Sequence, residues 1–127
     1  MTYGIIATDT IQSSTTGTPP QFNDGSGAQI GTLCRAWVNF NGSTAVIRAS
    51  FNVGSITKNG TGDYTVNFTT ALADANYLTL TTSLQGAAGQ TLWIKSGGTY
   101  TSSAVQVASG NNSASTNTTN FSIACFR

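Results

Sequence analysis

The chain contains no histidine and no glutamate. Without imidazole it has no His general base, no His-assisted serine or cysteine nucleophile and no His-containing metal site. Without Glu, a glycoside hydrolase would have to build its carboxylate pair from Asp9, Asp24, Asp63 and Asp74, the four acidic residues of the sequence. Each of these sits beside Gly, Asn, Thr or Ala in an expected turn, where an aspartate ordinarily bonds the local backbone. Charge of either sign is scarce: five basic residues against four acidic ones leave a formal net charge of +1. Gripping a phosphate backbone or an anionic membrane surface takes many more cations. No nucleic-acid partner and no membrane insertion are therefore expected, and no run of about 18 apolar residues reads as a spanning helix. The opening MTYGIIATDTIQSS lacks the basic and long apolar regions of a secretory signal. Cysteine is limited to Cys34 and Cys125. No CxxC spacing exists, and the two read as small buried hydrophobes that, if paired, would tie the first core strand to the last. The expectation is a non-enzymatic protein with no cofactor and no bound metal.

In place of charge the chain has Gly, Ser, Thr and Asn, with recurrent Phe, Tyr and Trp in segments that alternate. Disordered chains lack such aromatics, so this is a folded, neutral and turn-rich β protein. Its 127 residues make one domain of ordinary size. Residues 1–32 differ in texture, with Pro19-Pro20 and the Asp24-Gly25-Ser26-Gly27 turn, and read as an extended arm with one short strand. From residue 33 the period becomes two. Cys34, Ala36, Val38 and Phe40 share one face, and Trp37 lies on the other. Asn41-Gly42 is expected to close a two-residue hairpin. The next run is expected to be a single strand with Ala45, Ile47, Ala49, Phe51 and Val53 on one face, ending before a turn over 58–62. Tyr64, Val66 and Phe68 define a third strand. Further short strands are expected over 77–84, around Leu92 and Ile94, around Val105 and over Phe121–Arg127. No segment carries a helical period. The pattern predicts an all-β, antiparallel β-sandwich, jelly-roll-like, over residues 33–127.

The glycine-rich stretches at 24–27 and 59–63 have neither the ligand spacing of a calcium loop nor the Lys-Ser/Thr ending of a phosphate loop, and read as turns. Arg35 and Arg48 are expected to lie side by side across the first hairpin, in need of an anion or solvent. Trp37, Trp93, Tyr77 and Tyr100 are the candidate contact residues. Aromatic rings beside neutral polar side chains serve either as a core or subunit interface or as a stacking surface for a glycan.

Residues 34–77 carry a further signal. Ala36 to Gly42 (AWVNFNG), Val46 to Ile56 (VIRASFNVGSI), Gly60 to Phe68 (GTGDYTVNF) and Asp74 to Tyr77 (DANY) resemble a module of bacteriophage tail-fibre and related virion fibre and decoration proteins. The resemblance implies a β-rich, homotrimeric element exposed on a virus particle. Since no long shaft accompanies the module, it implies first a capsid decoration, cement or spike protein. Its second implication is a tail-fibre tip or receptor-binding adhesin for a host surface glycan. The implied partners are further copies of the chain and the major capsid protein or tail structural proteins. The implied location is the virion, after synthesis in the host cytoplasm. On this reading the arm of residues 1–32 either docks on the particle, through Ile5, Ile6 and Ile11, or serves as an inter-subunit segment.

Overall fold

The computed structural model describes residues 8–14, 20–84, 90–110 and 114–127. Contacts divide the chain into two units, Met1–Leu33 and Cys34–Arg127. The first holds two paired strands instead of the single one expected: β1 (Phe22–Asn23) and β2 (Gln29–Gly31), antiparallel. Asp24 makes the hairpin, its Oδ1 accepting the N–H groups of Ser26 and Ala28, both at 2.9 Å. Gly27 supplies the left-handed residue at φ +88°.

The second unit contains β3 (Cys34–Asn41), β4 (Val46–Phe51), β5 (Val53–Gly60), β6 (Asp63–Phe68), β7 (Leu78–Ser83), β8 (Thr91–Ile94), β9 (Ala104–Gly110) and β10 (Phe121–Phe126). Sheet I has the order β4-β3-β10-β7 and sheet II the order β5-β6-β9-β8, with every neighbouring pair antiparallel. The fold is all-β, antiparallel and built from more than one sheet. The alternation of β3, β6 and β10 turns Ala36, Val38 and Phe40, then Tyr64, Val66 and Phe68, then Phe121, Ile123 and Cys125 into one shared core.

The expected single strand after the first turn is two strands belonging to different sheets. The break is Asn52, at φ +55°, a conformation that Asn tolerates better than most residues. Its side chain also does the work of a missing ladder. Nδ2 donates to the carbonyls of Arg35 (3.1 Å) and Thr70 (3.0 Å), and Oδ1 accepts the N–H of Thr70 (2.8 Å). The chain thus leaves sheet I at Phe51 and enters sheet II at Val53 without orphaning its backbone. A second consequence is that the predicted face is split. Val53 is buried and Ile47 packs on the core, whereas Phe51 and Ala49 are exposed. A register shift opposite Asn39 and Phe40 adds to the break.

The first hairpin is also wider than expected, with a turn over residues 42–45. Positive φ falls on Ala45 (+58°), not on Gly42. Asn41 acts through its side chain, whose Oδ1 accepts the N–H groups of Ser43 (2.8 Å) and Thr44 (3.4 Å). Gly42 is required for a different reason: a Cβ there would collide with the Phe121 ring and the Thr118 carbonyl oxygen. Against this glycine the rings of Phe40, Tyr64 and Phe121 meet, with centroids 5.3 to 5.4 Å apart. The Tyr64 hydroxyl, held between the Gly42 carbonyl (2.8 Å) and Asn117 Oδ1 (2.5 Å), joins the first hairpin to the segment before β10. Asn117 Oδ1 also accepts the Gly62 N–H at 2.9 Å. Burial pushes the Tyr64 pKa up, so the phenol remains a neutral donor.

Two stability changes are expected, both measurable by equilibrium denaturation. Tyr64→Phe leaves the buried Gly42 carbonyl without its hydroxyl donor and lowers stability by about 1–2 kcal/mol. Ala45→Gly relieves the left-handed alanine and raises stability by about 1 kcal/mol.

Candidate functional site

The two sheets present unlike outer surfaces. On sheet I, the register aligns Phe51 (β4), Trp37 (β3), Ala124 (β10) and Leu80 (β7) in one row pointing away from the core. Leu78 and Phe126 form the adjacent pair on the same side. Phe51 is 54% exposed, Trp37 40%, Leu80 52% and Leu78 58%, so this is a continuous apolar strip open to water. Between Trp37 on one side and Leu80 and Thr82 on the other, the small residues Ser122 and Ala124 leave a groove of about 350 Å³. The small side chains of β10 make the floor, and the larger ones of β3 and β7 make the walls.

On sheet II, the outward row beside the strand ends is Trp93 (β8), Ala108 (β9) and Asp63 (β6). The next residues inward are Gln106 and Thr65, with Thr57 on β5. Asp63 gathers this face together. Its Oδ1 accepts Asn59 Nδ2 at 3.2 Å and Gln106 Nε2 at 2.7 Å, and its Oδ2 forms an ion pair with Lys95. Farther along, Asn67 Nδ2 donates to Ser55 Oγ (3.1 Å) and Thr57 Oγ1 (3.0 Å). Burial raises the Asp63 pKa, but the bonds from Lys95, Gln106 and Asn59 outweigh it, and the carboxyl is held below the usual value.

The four candidate aromatics do not form one platform. Trp37 and Trp93 are exposed on the outer faces of different sheets. Tyr77 is buried, donating to the carbonyls of Thr101 (3.0 Å) and Ala104 (3.3 Å). Tyr100 stacks on it at 4.6 Å between centroids and donates to the Tyr77 carbonyl. These two tyrosines are packing residues, their hydroxyls taken by backbone. Ile11 is exposed in the first unit, while Ile5 and Ile6 lie outside the described residues. Arg48 is not beside Arg35: it lies opposite Asn39 and Phe40, donates to the Asn39 side chain (3.4 Å) and the Thr119 carbonyl, and is otherwise exposed to solvent. The polar cluster around Asp63 went unread in the sequence, because β6, β9 and β8 are brought together by pairing between distant segments.

The aspartates otherwise serve structure. Asp24 closes the β1–β2 turn. Asp74 accepts the Asn76 N–H at 2.7 Å and a two-pronged pair from Arg127 at 2.9 and 2.6 Å, which holds its carboxyl down to about 2. Asp63 begins β6 and Asp74 lies between β6 and β7, and each is paired with its own cation, Lys95 or Arg127. Cys34 and Cys125 are free. Cys125 is buried opposite Ala36, and Cys34, half-buried, lies opposite Phe126 across a register shift. Burial is the main cause that pushes the Cys125 thiol up to about 11, which keeps it out of its nucleophilic form. Among the described residues no group of His, Cys, Asp and Glu could hold a metal ion, and no helix is long and apolar enough to cross a membrane.

The acid limb of the stability curve is set by these carboxylates. A pKa lowered by folding means that the folded state binds fewer protons. The stabilisation from Asp63 and Asp74 is therefore complete above the unfolded value of about 3.9 and is lost as the pH falls toward the folded values. Stability measured from pH 6 downward is expected to decline below about pH 4. Asp63→Asn is expected to flatten that decline, at a cost of about 1 kcal/mol at neutral pH.

No family model matches the chain, and neither the curated proteins nor the solved structures contain a match to it.

Proposed function

We propose that this chain is a non-enzymatic structural subunit of a bacteriophage particle surface, a capsid decoration or spike protein, and that it assembles with copies of itself through the outer face of sheet I. The observation that carries the proposal is the row Phe51, Trp37, Ala124 and Leu80, continued by Leu78 and Phe126. An apolar strip across a whole sheet is costly to leave in water and is the usual substance of a subunit interface. The groove beside Trp37 offers a seat for an apolar side chain of a neighbouring copy. Sheet II, with its amides, hydroxyls and one ion pair, suits the opposite role of facing solvent. The viral part of the reading rests on the likeness of residues 36–42, 46–56, 60–68 and 74–77 to fibre and decoration modules, which also supports a homotrimer. The finer jelly-roll-like description belongs to the same proposal and is supported by the two four-stranded sheets. In this scheme the first unit docks on the major capsid protein or a tail structural protein, with Ile11 as an exposed anchor.

Size-exclusion chromatography with light scattering tests the assembly. The full chain is expected to run at three subunit masses, and Trp37→Ser combined with Leu80→Ser to run as a folded monomer. Both side chains are outside the core, so their loss leaves folding intact. A monomeric parent chain at tens of micromolar would contradict the proposal. Labelling of purified particles by an antibody to the chain tests the virion location separately.

A further inference from the structure

We infer that the outer face of sheet II carries a carbohydrate-binding site, centred on Ala108 between Trp93 and the Asp63–Lys95 pair, that takes a neutral sugar through two adjacent hydroxyls. The site is independent of assembly through sheet I. Trp93, Ala108 and Asp63 stand in one cross-strand row, so the indole and the carboxylate flank a single small residue. With strands about 4.8 Å apart, Trp93 and Asp63 are separated by about 10 Å across that alanine. Ala108, half-buried, is thereby a low floor between a flat apolar side chain and a polar one. Lys95 follows β8 and pairs its ammonium with Asp63 on β6, so its aliphatic arm crosses β9 and bounds the floor along one side.

The hydrogen-bonding capacity left over at the polar wall defines the ligand. Asp63 Oδ1 is saturated by Asn59 and Gln106, whereas Oδ2 receives Lys95 alone and retains a lone pair. The Lys95 ammonium, with its side chain 39% exposed, spends one donor on Asp63 and keeps two. An acceptor and a donor thus sit side by side. One sugar hydroxyl donates to Oδ2, and its neighbour accepts from Nζ. Trp93, 43% exposed, covers the C–H face of the ring. Gln106 is less available, since its Oε1 already accepts the Thr99 N–H at 3.1 Å. An anionic ligand fits poorly because Asp63 already neutralises Lys95. A nucleic acid would need further cations, and the described residues place none in this row. Individual sugars bound this way have weak affinity, and copies of the site on one assembly would multiply it.

Saturation-transfer NMR on the full chain, with the methyl glycosides of mannose, galactose, glucose and N-acetylglucosamine as probes, tests the site. At least one is expected to bind at millimolar concentration. Trp93→Ala and Lys95→Ala should each weaken that binding by about tenfold or more, roughly 1.4 kcal/mol. Trp93→Phe, which keeps a ring, should weaken it less. Trp37→Ser should leave binding unchanged while affecting subunit mass, which separates this inference from the assembly proposal. Circular dichroism checks that each variant is folded. Absence of binding by all four glycosides, or binding that survives Trp93→Ala, would overturn the inference.

Discussion

Three rings and one hydroxyl hold the two sheets of the second unit together. Phe40 and Phe121 come from sheet I and Tyr64 from sheet II, and all three are fully buried. They close on Gly42, where any side chain would collide with Phe121. The Tyr64 hydroxyl then links that turn to Asn117, and Asn117 links to Gly62. Burying rings of this size contributes about 2–3 kcal/mol each, while a single buried hydrogen bond contributes about 1. Packing therefore supplies most of the energy. The hydroxyl supplies direction, because it fixes which turn meets which loop.

That junction determines what the outer faces can be. Once Ala36, Val38 and Phe40 point inward, Trp37 must point outward, and the same alternation places Ala124 and Leu80 beside it. On sheet II the inward set of Tyr64 and Val66 leaves Asp63, Thr65 and Asn67 outside. The two outer faces of the second unit thus differ through strand parity, one mainly apolar and one mainly polar. A structural subunit with a covered side and a solvent side needs this asymmetry. The proposed assembly and the proposed sugar site occupy opposite halves of it.

Much of this was legible in the sequence, and the exceptions have local causes. β6 and β10 each bury one complete face and β3 buries Ala36, Val38 and Phe40, so alternation alone identifies these inward residues. The strand split at Asn52 was not legible, because Asn52 is held by the distant Arg35 and Thr70 and lies inside an unbroken alternating pattern. Phe51 accordingly shares a face with Ile47 and Val53 in the sequence pattern, but is exposed in the structure. Asn41-Gly42 marked a turn correctly but for the wrong reason: Asn41 acts by its side chain, and Gly42 is small because Phe121 lies over it. Trp37 and Trp93 could be recognised as outward-facing from parity. Their separation onto different sheets, the burial of Tyr77 and the convergence of Asp63, Gln106 and Lys95 depend on long-range pairing that no short window contains.

The central claim is that the Trp37 face is covered in the assembled protein and the Trp93 face is open. Iodide quenching of tryptophan fluorescence measures it directly, in variants carrying Trp93→Phe or Trp37→Phe so that one indole reports at a time. Trp37 is expected to lose accessibility as protein concentration rises through the assembly range, with Trp93 staying as accessible as in the dilute chain. Equal and concentration-independent quenching of the two indoles would contradict the account.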